Sequence, residues 1–151
     1  MKRREFCVHA CQAASVAALG TMLPGCGSSN PASASSNVPQ LTTVNGSFAS
    51  GTVTVTVDAA SPLNTVGGAA LVQSSAGNFL VSRTAQDAFV ALTAICTHEQ
   101  CTVTGFQSAH YVCPCHGSQY STNGTVTQGP ATRALQQFAT RFTAPTLTIT
   151  T

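Results

Sequence analysis

Charge is what this chain has least of. Its 151 residues include six basic and four acidic side chains, and four of those ten lie at positions 2–5. Lys2, Arg3 and Arg4 against Glu5 supply the whole formal net charge of +2, while Arg83, Arg133 and Arg141 cancel Asp58, Asp87 and Glu99. Without a basic patch, nucleic-acid binding has no electrostatic basis, and no strong surface field steers partners. An acid–base pair or nucleophile constellation is also missing outside the cysteines and histidines, which argues against substrate turnover. No stretch shows helical periodicity with caps, and no segment repeats. The apolar run 6–23 is broken by His9, Gln12, Ser15 and Gly20, so it is marginal against the roughly 20 residues that span a bilayer.

What the chain has instead is strand pattern. Residues 41–151 read as one all-β domain of about 110 residues, a common domain size. Thr52-Val53-Thr54-Val55-Thr56-Val57 alternates strictly, which puts the valines on a core face and the threonines opposite. Further strands are expected over 69–73, 79–82, 88–94, 111–113, 135–142 and 146–150. Turns are expected at Gly67-Gly68, 74–78, Asn123-Gly124 and Gly129-Pro130. Many short strands with glycine and proline turns predict a β-sandwich or barrel. Phe79, Phe89, Phe106, Phe138 and Phe142 then read as core, His110 as a surface strand residue, and Gly117 and Gly129 as turn glycines.

Two short boxes carry the chemistry: Cys96-Thr97-His98-Glu99-Gln100-Cys101 and Cys113-Pro114-Cys115-His116-Gly117-Ser118. Residues 99–112 separate His98 from Cys113, enough chain for a strand, a turn and a returning strand. Two thiolates and two imidazoles suit zinc or an iron–sulfur cluster. Zinc fingers commonly pair Cys with Cys and His with His, whereas each box here holds one Cys-x-His or Cys-x-x-His pair. A [2Fe–2S] cluster with two Cys on one iron and two His on the other needs each loop to reach both irons, which this spacing allows.

The pattern C-T-H-x-x-C followed by C-P-C-H-G-S-x-Y, then Gly124 and Gly129-Pro130-Ala131, resembles the Rieske iron–sulfur family, in its high-potential, disulfide-bearing branch. The resemblance implies a β base with a small inserted cluster-binding subdomain over about 94–131. It implies Cys96, His98, Cys113 and His116 as ligands of a [2Fe–2S] cluster and Cys101–Cys115 as a disulfide tie. It implies hydrogen bonds from Ser118 to a bridging sulfide and from Tyr120 to a ligand sulfur, with Gly129 and Pro130 in a loop over the cluster. Such bonds favour the electron-rich reduced state and raise the potential.

Residues 1–26 read as an export signal, a basic start followed by the apolar stretch 13–23. Arg3-Arg4-x-Phe6 resembles a twin-arginine signal, with Lys2 and Cys7 replacing the usual hydroxyl residue and leucine. A cluster built in the cytoplasm requires export of a folded protein, which favours that reading over an ordinary secretory signal. Leu23-Pro24-Gly25-Cys26 resembles a lipobox with Cys26 as the lipidation site; an uncleaved N-terminal anchor is the alternative. Residues 27–40, rich in Ser, Ala, Asn and Pro, read as a flexible tether. Cys7 and Cys11 fall in the signal, Cys26 is the lipid site, and the other four cysteines fill the boxes. A disulfide agrees with the oxidising compartment an export signal implies.

The expectation is therefore an exported electron carrier tethered at the periplasmic face of the bacterial cytoplasmic membrane, a small subunit of a respiratory oxidoreductase. The resemblance implies a redox partner such as a cytochrome b, a cytochrome c or a molybdenum enzyme. The iron–sulfur subunit of a cytochrome bc-type quinol-oxidising complex is the alternative. Glu99 and Gln100 depart from it, replacing the apolar residue and glycine usual in quinol-oxidising members. An oxygenase-type ferredoxin, which would lack the second cysteine pair and be cytoplasmic, and a non-redox zinc module are the remaining readings.

Overall fold

A computed structural model of the chain describes residues 37–151. The expected export signal over 1–26, with Cys26, and residues 27–36 of the expected tether lie outside the described residues. The described chain is all β, as expected. Its strands are β1 (Thr43–Asn45), β2 (Ser47–Ala49), β3 (Thr52–Thr56), β4 (Ala69–Ser74), β5 (Gly77–Ala85) and β6 (Ala88–Thr93). They continue with β7 (Gly105–Gln107), β8 (His110–Val112), β9 (Gln119–Ser121), β10 (Val126–Gln128), β11 (Gln137–Thr143) and β12 (Thr146–Thr150).

Eight strands form one sheet in the order β1-β4-β5-β6-β11-β12-β3-β2, and four form a second in the order β10-β9-β8-β7. The edges of the large sheet are consecutive pieces of one extended segment. β1 pairs in parallel with β4 and β2 pairs antiparallel with β3, with Gly46 alone between them. That segment brings the two edges together and nearly closes the sheet into a barrel. Gly46 stands at the seam because a Cβ there would come within 2.6 Å of Val53 Cγ1 and 3.1 Å of Val72 Cγ1. Its N–H donates to Gln73 O at 2.8 Å.

Period-two alternation then gives β4, β5 and β6 two buried faces. Ala70, Val72, Phe79, Val81 and Ala91 point into the barrel and meet Val53, Val55, Leu147 and Ile149. On the opposite face, Leu71, Leu80 and Leu92 are direct partners across three strands and make a continuous apolar row. The second sheet and the two boxes pack on that row, with Cys96, Val103, Tyr111, Cys113 and Tyr120 all buried against it. The site is therefore built on the outer wall of the barrel. Phe79 and Phe89 are core residues; Phe138 packs edge-to-face on Phe79 at 5.1 Å, and Phe142 lies 4.8 Å from Phe89.

The seven expected strands are all present, six with shifted ends and β12 as expected. β5 is longer than expected and carries Arg83, which is buried despite its charge. The guanidinium sits 5.3 Å from the Phe89 ring and 5.6 Å from that of Phe142. It donates to the carbonyls of Leu63, Asn64 and Gln86, fastening the 58–68 connection to the barrel. Arg83→Met preserves much of the packing and strands those three acceptors. We expect a loss of about 2–4 kcal/mol, read as a lower urea midpoint at unchanged slope; an unchanged midpoint would refute this account. The strands the sequence pattern misses, β1, β2, β7, β9 and β10, are three residues each, too short to show a period.

Candidate metal centre

Each box is a loop pinched shut by its own backbone. In the first, Val103 N donates to Ala94 O at 2.7 Å and Cys96 N to Cys101 O at 2.8 Å, beneath a bridge between Ile95 and Thr102. The second joins β8 to β9, with Cys113 N bonded to Ser118 O at 2.8 Å and Gly117 N to Cys113 O at 3.0 Å. Gly117 turns this loop at φ +74°, a left-handed conformation that a side chain would strain. The loops converge, and Cys101 and Cys115 join them in a disulfide with Cα atoms 6.5 Å apart.

Two free thiols and two imidazoles meet there. Cys96 and Cys113 are buried, whereas His98 and His116 lie at the solvent edge with ring centroids 4.9 Å apart in an edge-to-face arrangement. The boxes present their cysteines alike. The backbone N–H groups of His98 and Glu99 turn towards Cys96, and those of Cys115 and His116 towards Cys113, so each sulfur faces donors two and three residues on.

Burial raises the Cys96 thiol, but hydrogen bonds from Tyr120, from these backbone donors and from Cys113 outweigh it and leave it below its ordinary value. Burial pushes Cys113 up to about 11, helped by its hydrogen bond to Cys96 and the charge there. The pair thus favours one negative charge and resists a second, and a bound cation relieves that resistance. This donor set fits a metal held by two thiolates and two neutral imidazoles. It does not fit a cysteine-rich zinc site, because Cys101 and Cys115 are joined and leave Cys113 as the one thiol in that cluster of sulfurs. Glu99 Oε2 stands 3.8 Å from His116 Nδ1 on the exposed rim.

Polar support comes from three places. Tyr120, fully buried on β9, places its hydroxyl 3.3 Å from Cys96 Sγ. Burial and then the Cys96 hydrogen bond hold that phenol above its ordinary value. Ser118, also fully buried, accepts from Ala131 N at 3.0 Å, and its own hydroxyl hydrogen meets no acceptor among the described residues. Thr97 donates from Oγ1 to Arg133 O at 2.6 Å. The segment after the cis Gly129–Pro130 bond is therefore fastened to both boxes, through Ala131 and Arg133. Gly129 and Pro130 themselves are exposed and make neither bond.

Sequence reasoning missed Thr97 and the Arg133 carbonyl. Thr97 lay inside a box already singled out, but a backbone acceptor 36 residues away leaves no trace in composition. A cleft of about 510 Å³ opens beside His98, lined by Ile95, Thr97, Gln100 and Arg133 among others. His110 takes no part; it opens β8 and donates from Nδ1 to Ser108 O at 2.8 Å.

Comparison with known proteins agrees with this chemistry. The model of the Rieske [2Fe-2S] domain matches residues 54–139, more than half of the chain. The cytochrome b6-f complex iron-sulfur subunit of Prochlorococcus marinus (strain MIT 9301) is 42% identical over 73 residues, covering 46% of this chain and 41% of that subunit. Its counterpart in strain AS9601 is 56% identical over 45 residues, covering 29% and 25%. The chain thus spans less than half the length of these curated relatives. The crystal structure of the cyanobacterial plasma membrane Rieske protein PetC3 from Synechocystis PCC 6803 aligns with a TM-score of 0.50 and 27% identity, over 55% of this chain and 86% of that one. The ferredoxin of carbazole 1,9a-dioxygenase from Nocardioides aromaticivorans IC177, at 16% identity and a TM-score of 0.50, covers 64% of this chain and 96% of its own and shares the fold. With two buried thiols and two rim imidazoles gathered by paired loops and a disulfide, and a family model spanning both loops, the chain belongs to the Rieske [2Fe–2S] domain family and carries that domain's [2Fe–2S] cluster.

Proposed function

We propose that this chain is an exported, membrane-tethered electron-transfer protein in which Cys96, His98, Cys113 and His116 hold the cluster, acting as a small subunit of a respiratory oxidoreductase. The observation that carries the reading is the division of the donor set, with both thiols buried and both imidazoles at the edge. Neutral imidazole in place of two thiolates leaves the oxidised cluster without net charge, so it accepts an electron more readily than a four-cysteine cluster does.

The chain's own residues do the rest. Cys96 and Cys113 anchor the centre on the leucine row of the barrel wall, away from water. His98 and His116 form the edge through which a partner reaches it, with the exposed Ile95 and Arg133 alongside. Ser118 and Tyr120 direct hydroxyl groups inward, and the Cys101–Cys115 bond holds the loops shut.

Export is supported by the basic-then-apolar segment 1–26 and by a disulfide, which persists in oxidising compartments. No helix among the described residues is long and apolar enough to cross a membrane. On this reading attachment at the periplasmic face falls to the segment before residue 37, through lipidated Cys26 or an uncleaved anchor. The donor and acceptor would be a cytochrome b, a cytochrome c or a molybdenum enzyme.

The b6-f relatives favour a second reading, as the iron–sulfur subunit of a cytochrome bc-type complex. Against it stands Glu99, whose exposed carboxylate shares the rim with both imidazoles and would meet an apolar quinol pocket unfavourably.

Anaerobically purified full-length protein should hold iron and acid-labile sulfide in equal amounts, with a paramagnetic signal on reduction. Replacement of any one of the four ligands by Ala should abolish that signal. A colourless product, zinc in place of iron, or a variant that retains the wild-type signal overturns the assignment.

A further inference from the structure

Tyr120 has one hydroxyl hydrogen and more than one acceptor in reach. Four polar groups meet at its hydroxyl or one step from it: Thr97 N at 3.1 Å, Thr97 Oγ1 at 3.0 Å, Cys96 Sγ at 3.3 Å, and, beyond Thr97, Arg133 O at 2.6 Å from Oγ1. A carbonyl can only accept, so the single Thr97 hydroxyl hydrogen belongs to Arg133 O. A backbone N–H can only donate, so Thr97 N gives its hydrogen to the Tyr120 oxygen. One hydrogen remains, the phenolic one, and two acceptors face it: Thr97 Oγ1 and Cys96 Sγ.

We propose that Thr97 is a positioning residue that competes with the Cys96 sulfur for the Tyr120 proton, so that the sulfur bond strengthens only when the sulfur becomes electron-rich. The inference rests on Cys96 being a cluster ligand. No covalent bond is made or broken; the phenol keeps its proton and changes the acceptor it points to. In the oxidised protein the sulfur is the poorer acceptor and the bond to Thr97 Oγ1 holds more of the population. In the reduced protein the sulfur gains negative charge and charge-assisted bonding draws the hydroxyl to it.

The sign of the effect follows. A second acceptor lowers the free energy of whichever state uses it more, which is the oxidised one. Thr97 therefore restrains the potential that Tyr120 raises. The backbone N–H of Thr97 survives any substitution except proline, so Tyr120 stays anchored when Oγ1 is removed.

The test is a double-mutant cycle on full-length, cluster-loaded protein, using Thr97→Val, Tyr120→Phe and the pair. With Tyr120 intact, Thr97→Val should shift the one-electron reduction equilibrium about threefold towards the reduced form, about 28 mV upward. In the Tyr120→Phe background the same change should have no effect, and Thr97→Ser, which keeps the hydroxyl, should leave the potential near wild type. A shift of equal size in both backgrounds would mean that Thr97 serves only to fasten the segment at Arg133. No shift, or a downward one confined to protein with Tyr120 intact, overturns the proposal equally.

If the valine variant fails to hold iron, the wild type answers alone. With ring-labelled tyrosine, reduction should move the Tyr120 C–O infrared band and leave in place that of Tyr111, whose buried hydroxyl bonds none of the four ligands among the described residues. An unmoved Tyr120 band rejects the competition. Iron content and the paramagnetic signal are measured on the same samples, so loss of the ligand assignment is distinguishable from loss of this inference.

Discussion

Protein carrying both Ser118→Ala and Tyr120→Phe should retain its cluster and show a reduction potential lower by roughly 80 mV. The number follows from two hydroxyl donors, each bonding the reduced state more strongly than the oxidised state by about 1 kcal/mol, where about 1.4 kcal/mol corresponds to 59 mV in a one-electron couple. Tyr120 Oη already lies 3.3 Å from Cys96 Sγ. Ser118 Oγ takes the Ala131 N–H, and its own hydrogen meets no acceptor among the described residues. Both residues are fully buried, so water cannot replace a deleted hydroxyl. Redox titration followed by circular dichroism or paramagnetic resonance measures the shift, and an unchanged potential would rule out both roles. The single variants should each give part of the shift. Their sum need not equal the double value, because the two residues share strand β9 and its approach.

Removing the disulfide should have the larger effect on integrity. Cys101 and Cys115 are 14 residues apart in sequence, and closing a loop of that size constrains the unfolded chain by about 3 kcal/mol. The bond also holds together two loops whose other links are few. Within each box the backbone bonds are local, and the strands that support them belong to different parts of the chain. Cys101→Ala with Cys115→Ala should therefore cost that much stability, read as a lower urea midpoint, and speed the loss of visible colour in air or chelator. If the double variant loses iron no faster than wild type, the disulfide is not what keeps the loops shut. Reduction of the wild-type bond under anaerobic conditions should reproduce the variant and reverse on reoxidation.

The parts legible in the sequence were those set by local spacing. Strict Val/Thr alternation over 52–57 predicted a one-sided strand, and β3 buries Val53 and Val55 as a result. The boxes were legible because each sets a thiol and an imidazole within three residues of one another, and the structure brings both pairs together. Harder were the elements whose existence depends on partners distant in sequence. The leucine row of β4, β5 and β6 looked like ordinary strand apolarity, because no pattern within one strand says that its second face is also covered. Arg83 enters the sequence only as one unit in the charge balance; the folded barrel supplies the carbonyls and rings that bury it. Gly129 and Pro130 were expected in a loop over the site; the bonds that fasten this segment are made by the Ala131 N–H and the Arg133 carbonyl, backbone groups that no side-chain pattern marks.

The amino-acid order alone determined the β character and the donor set, because alternation and ligand spacing act over a few residues of backbone. Tertiary structure alone decided how the edges meet at Gly46, which face of the wall receives the boxes, and which acceptors compete for the Tyr120 hydrogen. Those outcomes depend on contacts between atoms far apart along the chain. Such contacts form only once the entropy of closing the long intervening loops has been overcome by the burial that the whole fold provides.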